Sequence, residues 1–453
     1  MAVVASGRRV AAAGWAVAGV CALLAALSLL APFALIYDAW SWSLWARELA
    51  DGALDTTGLS AWKPLPPLLG TPVALLGGSP AAAWLGVERA AALGALALAW
   101  VLAARRAGWP AGVLAVVLLV LVAGWPRYVA EGYSEPVVVA LLLGAVLAAL
   151  DDRHGWLLAA LTGAALLRPE AWPLLAVAGA WVWRERPGLR WAVAAAVALV
   201  AVLWVGGEWL GSGDPLSGSD RARASTQPAG SVFGVAVPFA PAWAGVAVAA
   251  VAGWRARDRE VLLLGGVAAA WTLTVVAMDL AGYPGLDRFQ VPAAALWSVL
   301  GAIGLVWLVR GAAPRGPAAP VAAVAVLVAA TAWFGAGRVD RVAGDVEAVA
   351  DRVEAQRDLR RAVDAVGARR LAAGAPCVNL AFHSALAAML DVHPNAVCAP
   401  TAPPPERCSA FVLQTARDRV TGPASPAPSR AEVAARAGRW TVLAVDPPNC
   451  QAV

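Results

Sequence analysis

YDAWSWSLWARELADGALDTTGLSAWKPLPP, residues 37–67, is the stretch on which the reading of the chain turns. It follows the first long apolar run, so it should emerge from a membrane on the far side. It carries an acid at the exit of that run (Asp38), four tryptophans (Trp40, Trp42, Trp45 and Trp62), an acid–base cluster (Arg47, Glu48, Asp51, Asp55) and Lys63, the only lysine in the chain. Tryptophans of this kind sit at the boundary between water and lipid, where an amphipathic ring is comfortable. The stretch is therefore expected to lie along the outer face of a bilayer and to carry the chemistry.

The bulk numbers support a membrane setting. Of 453 residues, 60% are hydrophobic and 14% charged, against about 25% charged in a soluble protein. The net charge of +5 is spread over alternating loops. It speaks to orientation in a membrane, and no nucleic acid partner is expected.

Orientation follows from the arginines. Residues 1–9 are short and basic, and the run from about 10 to 36 is too long for an ordinary signal peptide. It reads as a retained helix with its N-terminus inside. Basic clusters then recur at Arg105/Arg106, Arg153, Arg184/Arg186/Arg190, Arg255/Arg257/Arg259 and Arg310/Arg315. Placing all of them inside gives about eleven spans, N-in and C-out. The loops left outside are 37–80, 125–135, 168–170, 208–231, 279–290 and the tail after 336. The Pro-rich segment 64–78 is too short to cross and reads as a re-entrant or interfacial piece.

Helix length marks two of these loops. The runs 156–167 and 171–183 would reach only about 20 Å at roughly 1.5 Å per residue, short of a hydrocarbon core of about 30 Å. Arg168-Pro169-Glu170 sits at the tip of this hairpin. A second short pair, 109–124 and 136–150, is tipped by Arg127, Tyr128, Glu131 and Glu135. Ionisable groups at such depth are costly and tend to be functional. Together the two hairpins outline a cavity that opens outward.

The candidate chemistry falls on these loops. Asp38 is placed to act as a general base at the membrane surface; the plainer alternative is a helix-exit acid. Lys63, Arg127, Arg168 and Arg288 could together hold a phosphate. The alternative is local pairing: Arg127 with Glu131, Arg168 with Glu170, Arg288 with Asp287. Glu131, Glu135, Glu170 and Asp214 are candidates for binding sugar hydroxyls or for supporting roles. Carboxylates can hold a divalent metal, but these are scattered, so no metal or other cofactor is expected. The loop 208–231 otherwise reads as a flexible Gly/Ser-rich linker.

After a last span near 319–335 the composition changes. Residues 338–370 are charged and helix-periodic. The short apolar runs CVNLAF (377–382), AVCAP (396–400), AFVLQT (410–415) and WTVLAV (440–445) then alternate with helical or Pro-rich pieces. That alternation predicts a small α/β domain. Cys377, Cys398, Cys408 and Cys450 all lie in this tail, which points to two disulfides in an oxidising compartment. The expected organisation is a transmembrane domain over 1–336 and an extracytoplasmic domain over 337–453. His383 and His393 lack metal-ligand spacing and read as structural.

The segments YDAWSWSLWARELADG (37–52), WKPLP (62–66), EGYSEP (131–136), LLRPEAWP (166–173), GSGDPL (211–216) and the GLDRF…P segment (285–292) resemble the GT-C membrane glycosyltransferases in their order and placement. The closer resemblance is to actinobacterial integral membrane mannosyl- or arabinofuranosyltransferase-like proteins of the cell envelope. It covers roughly residues 10–310. Many GT-C members pair two acids in the first outer loop, whereas Asp38 has no acid beside it.

The resemblance implies a mainly α fold, a GT-C-like polytopic bundle in the inner (plasma) membrane with the active site and tail outside. It implies transfer of a sugar from a polyprenyl-phosphate donor to a glycan or glycolipid acceptor. Asp38 would take the proton of the attacking hydroxyl, with inversion at the anomeric carbon. Lys63, Arg127, Arg168 and Arg288 would hold the departing phosphate. Trp40, Trp62 and Tyr128 would stack on sugar faces or support the site, and the tail would bind an acceptor or a partner. Two rivals are a transporter or flippase of a lipid-linked precursor, and a non-catalytic assembly protein.

Overall fold

Proline and glycine punctuate an otherwise continuous apolar chain, and they set where its helices start and stop. The computed structural model describes residues 2–58, 60–224, 240–312, 318–399, 411–415 and 431–445. Proline stands in the first turn of the helices Leu65–Leu75, Pro80–Ala107, Trp109–Val120, Trp125–Glu131, Glu135–Leu150 and Trp172–Glu185. There its missing N–H is no loss and its fixed φ suits the helix. Ser79 adds a side-chain cap, accepting from the Ala82 N–H at 3.3 Å.

The described residues are mostly helical, with one small sheet near the C-terminus. Among them, four helices are long and apolar enough to cross a membrane: Pro80–Ala107, Pro187–Ser212, Arg259–Leu280 and Asp287–Ala312. Trp109–Val120 and Trp125–Glu131 form a further apolar pair bent by 69°. Gly14–Ser28, Leu65–Leu75, Glu135–Leu150 and Ala242–Ala256 are shorter apolar helices. The chain is a multi-pass membrane protein. Its central element is Asp287–Ala312, 78% of whose apolar stretch is buried. That element carries Arg288 at its mouth.

Two glycines build the turn that holds the Trp125–Glu131 helix. Gly124 (φ 80°) precedes it and Gly132 (φ 76°) follows it, both in a region that disfavours side chains. A Cβ at Gly132 would stand 2.8 Å from Leu35 Cδ2, and the Gly132 carbonyl accepts from Trp84 Nε1 at 2.8 Å.

Beyond the bundle, Ala318–Val366 is one uninterrupted helix of 49 residues. The expected last span and the charged helix after it are thus a single rod, whose span-side side chains lie outside the described set. Three antiparallel strands follow: β1 (Phe411–Thr415), β2 (Ala431–Ala437) and β3 (Trp440–Val445), in the order β1-β3-β2. The sheet docks on the rod through Trp440, whose Nε1 donates to the Ala355 carbonyl at 2.9 Å. Phe382 meets Trp440 edge-on at 5.1 Å.

Several sequence expectations need correction. CVNLAF and AVCAP are not strands; their backbone pairing is limited to isolated bridges, Cys377 with Cys398 and Cys377 with Val412 of β1. The segment Ala431–Ala437 is a strand although it is rich in helix formers, because pairing with β3 outweighs local propensity. The start of the loop 208–231 is not a linker: Gly207–Ser212 and Ser217–Ala224 are helical, and residues 225–231 lie outside the described set. Cys377 and Cys398 form a disulfide; Cys408 and Cys450 lie outside the described residues.

Candidate active site

The helix Tyr37–Ala50 is buried from two sides. Ala39, Trp42 and Trp45 belong to the core of the bundle, while Leu44 belongs to the core of the tail domain. The 3.6-residue period makes this possible, since positions 39, 42 and 46 share one face and 41, 44 and 48 another. On the tail face, Ser41 Oγ lies 2.8 Å from Ser384 Oγ, and Glu48 lies 3.4 Å from His393 Nε2. Trp40 Nε1 donates to Gln356 Oε1 of the rod at 3.3 Å, and Gln356 in turn donates to the Leu35 carbonyl at 2.7 Å. Asp38 is thus carried on an element clamped between two cores.

The expected tryptophan belt does not lie at a lipid boundary. Trp42, Trp45 and Trp62 are buried. Trp42 packs edge-on against Trp84 at 5.1 Å and Trp45 against Trp62 at 5.3 Å. Trp45 Nε1 donates to the Asp55 carbonyl and Trp62 Nε1 to the Leu203 carbonyl, each at 3.0 Å. Large rings with one satisfied N–H favour such packing over exposure.

Around Asp38 three cations and two further acids converge from separate elements. Arg288 Nη2 reaches Asp38 Oδ2 at 3.3 Å, and Arg288 Nε lies 3.7 Å from Glu135 Oε1. Glu135 also pairs with Arg168, whose Nη1 is 3.7 Å from Glu170 Oε1. Lys63 Nζ sits 4.9 Å above the Trp42 ring. Phe289 lies beneath both guanidinium groups, 4.3 Å from Arg168 and 5.7 Å from Arg288, and Tyr133 lies 5.3 Å from Arg288. These rings stabilise the cations while leaving their N–H groups free to bind an anion. Among the described residues, the Arg288 Nε has no hydrogen-bond acceptor.

The cluster is open to solvent at one edge. The Asp38 and Arg288 side chains are 20% and 21% exposed, whereas Arg168 and Glu135 are 7% and 2% exposed. Burial pushes the Asp38 pKa up, but Arg288, Lys63 and Arg168 outweigh it and hold the carboxyl below its usual range. Burial, with Arg168 beside it, pulls Lys63 down to about 8 despite Asp38 and Glu135. Asp38 is held ionised at neutral pH, and Lys63 gives up its proton more readily than an ordinary lysine.

The other expected site residues lie elsewhere or are already engaged. Arg127 pairs with Glu131 at 3.2 Å, and Arg352 of the rod reaches the same carboxylate at 2.9 Å. Glu131 is fully buried, so this trio ties the rod to the bundle. Tyr128 stacks with Tyr133 at 4.8 Å. Trp40 and Trp62 spend their N–H groups on Gln356 and Leu203. Asp214 is exposed and accepts from the Leu216 N–H at 2.9 Å, closing a local turn. Arg288 pairs with Asp38 and Glu135 rather than with Asp287.

Sequence reasoning missed Tyr133, Phe289 and Glu208. Tyr133 and Phe289 stand inside the EGYSEP and GLDRF segments; Phe289 directly follows Arg288, whereas Tyr133 meets that arginine only through the fold. Glu208 accepts from Thr56 Oγ1 at 3.1 Å and lies 3.2 Å from Arg221, pinning the loop of Asp38 to the end of the span Pro187–Ser212. Among the described residues, no group of three or more His, Cys, Asp or Glu side chains is arranged to hold a metal.

No family model matches the chain, and no curated protein does. Solved structures do. The chain is similar to the crystal structure of ArnT from Cupriavidus metallidurans bound to undecaprenyl phosphate, with 16% identity and a TM-score of 0.55 over 95% of this chain and 98% of that one. It has the ArnT fold. The apo structure of the same ArnT gives 17% identity and a TM-score of 0.52 over 98% of this chain and all of that one. The Archaeoglobus fulgidus oligosaccharyltransferase in its apo form aligns over 73% of this chain and 56% of its own, with 13% identity and a TM-score of 0.41. The ArnT likeness extends through the tail as well as the bundle, and it is a mainly helical fold with a small C-terminal sheet.

Proposed function

We propose that the protein is a membrane glycosyltransferase. It moves a sugar of the mannose or arabinofuranose class from a polyprenyl-phosphate donor to a glycan or lipid acceptor of the cell envelope, outside the cytoplasmic membrane. The observation that carries this reading is the Asp38–Arg288 pair with Lys63 and Arg168 around it. An acid and several cations at one partly exposed point suit a displacement at a sugar phosphate. The fold match to a structure bound to undecaprenyl phosphate supports the donor class.

The resting cluster is close to neutral, since Lys63, Arg168 and Arg288 face Asp38, Glu135 and Glu170. A donor phosphate would compete with Asp38 for Arg288 and Lys63. As those cations turn to the phosphate, Asp38 loses the partners that depress its basicity. It becomes a better base when the donor is bound. It then accepts the proton of the acceptor hydroxyl as that oxygen attacks the anomeric carbon. The anomeric carbon–oxygen bond breaks with inversion, and the polyprenyl phosphate leaves against the cations.

Asp38→Asn tests the assignment with purified protein, a polyprenyl-phosphate sugar and an envelope acceptor. Transfer should fall by roughly 10²–10⁴-fold while the protein remains folded in detergent. Full turnover by that variant removes Asp38 from the mechanism. Movement of donor across a vesicle membrane without acceptor would place the chain among transporters instead.

A further inference from the structure

A pocket lined by none of the residues of the Asp38 cluster lies beside Trp40. It has a volume of about 430 Å³ and is formed where the first helix ends, where Trp40 faces the tail, and where the rod passes overhead. Its apolar wall includes Leu30, Phe33, Trp40 and Met389, and its rim carries Arg357 and Arg360. Both arginines are exposed. Neither has an ion-pair partner among the described residues. Of the acids near them, Glu354 pairs with Arg439 and Asp358 with Arg361.

The approach to this pocket is apolar. Val20, Leu23 and Leu27 follow one another at helical spacing along the first helix, Leu30 stands in the turn just past its end, and all four are exposed, Leu30 at 84%. The stripe runs up to the pocket and stops at the two arginines. An apolar chain lying on the stripe would bring its head group to the guanidinium pair. We propose that this is a binding site for a phosphate-bearing anionic lipid of the surrounding leaflet, with its acyl chain on the first helix and its phosphate between Arg357 and Arg360. Guanidinium groups match phosphate oxygens in charge and geometry, and basic groups at a bilayer surface favour anionic lipid. The site is distinct from the Asp38 cluster, and the proposal does not depend on the transfer reaction. By fixing the rod to the bilayer, the lipid would hold the Gln356–Trp40 contact in place.

Native mass spectrometry of the full chain in neutral detergent, titrated with phosphatidylglycerol, tests this. One tight adduct is expected. It should weaken at least tenfold in R357A/R360A and in Leu30→Ser, and stay within threefold of the wild type in R357K/R360K. All three positions are exposed, so the variants should fold. Phosphatidylcholine should bind at least tenfold more weakly, and inorganic phosphate should not displace the adduct. Equal affinity in R357A/R360A, equal binding of phosphatidylcholine, or displacement by inorganic phosphate would each overturn the proposal.

Discussion

Arg288 Nη2 lies 3.3 Å from Asp38 Oδ2 across a sequence separation of 250 residues. The two belong to different elements: one opens the helix after the first apolar run, the other stands at the mouth of the central span. Their meeting is a product of the fold, and in the proposed reaction it would tie the protonation state of Asp38 to the binding of the donor phosphate.

Lys63 gives that coupling a pH signature. Its folded pKa is drawn down to about 8 from an ordinary value of 10.5. Above pH 8 the folded protein holds fewer protons there than the unfolded chain. Stability from this group therefore rises between about pH 8 and 10.5. Donor binding runs the opposite way, because a phosphate needs the charged ammonium. The donor KM should climb as pH passes 8, and Lys63→Arg should remove that climb. A pH profile of donor KM for both proteins checks the expectation.

The two arginine clusters should behave differently when cut. Arg288→Ala removes a cation beside Asp38 and should lower kcat/KM for the donor by about 10²-fold or more. Arg127→Ala leaves Glu131 still paired with Arg352. It should change donor KM by less than threefold. Steady-state kinetics of the two variants side by side decides between these outcomes.

Glu135 holds Arg168 and faces Arg288 while only 2% exposed. Glu135→Gln leaves the buried Arg168 guanidinium with only the Glu170 carboxylate, 3.7 Å away, to balance it. That should cost roughly 3–5 kcal/mol, read as a lower midpoint of thermal unfolding in detergent. Loss of transfer without loss of stability would instead assign Glu135 a direct part in the chemistry.

The bond Cys377–Cys398 closes a separation of 21 residues next to β1. Cys377→Ser with Cys398→Ser should destabilise the tail by about 3 kcal/mol. Limited proteolysis should then cut the tail faster while the bundle persists. Equal digestion rates in the variant and the wild type would show that the sheet and rod suffice.

The helical bundle was legible because long apolar runs report directly on burial away from water. The site was partly legible. Asp38, Lys63, Arg168 and Arg288 stood out as ionisable groups on short outward loops, and the structure brings these four together. Arg127 has the same sequence character but is claimed by Glu131, a partner choice made by tertiary packing. Glu135 reads like any helix-start acid until Arg168 and Arg288 close on it from other elements. Trp62 reads as a boundary residue because composition cannot tell an interfacial ring from one buried against a second ring. In the tail, Ala431–Ala437 lacks the β-branched character that announces a strand, and only its pairing with β3 makes it one.

The 49-residue rod has a mechanical consequence. At roughly 1.5 Å per residue it is about 73 Å long. A lever of that length turns a tilt of one degree at its foot into a displacement of about 1.3 Å at its far end. Arg352 and Gln356 grip the bundle from the upper half of that lever. A thicker or thinner bilayer, by changing the angle at which the foot stands, would be felt at the clamp behind Asp38.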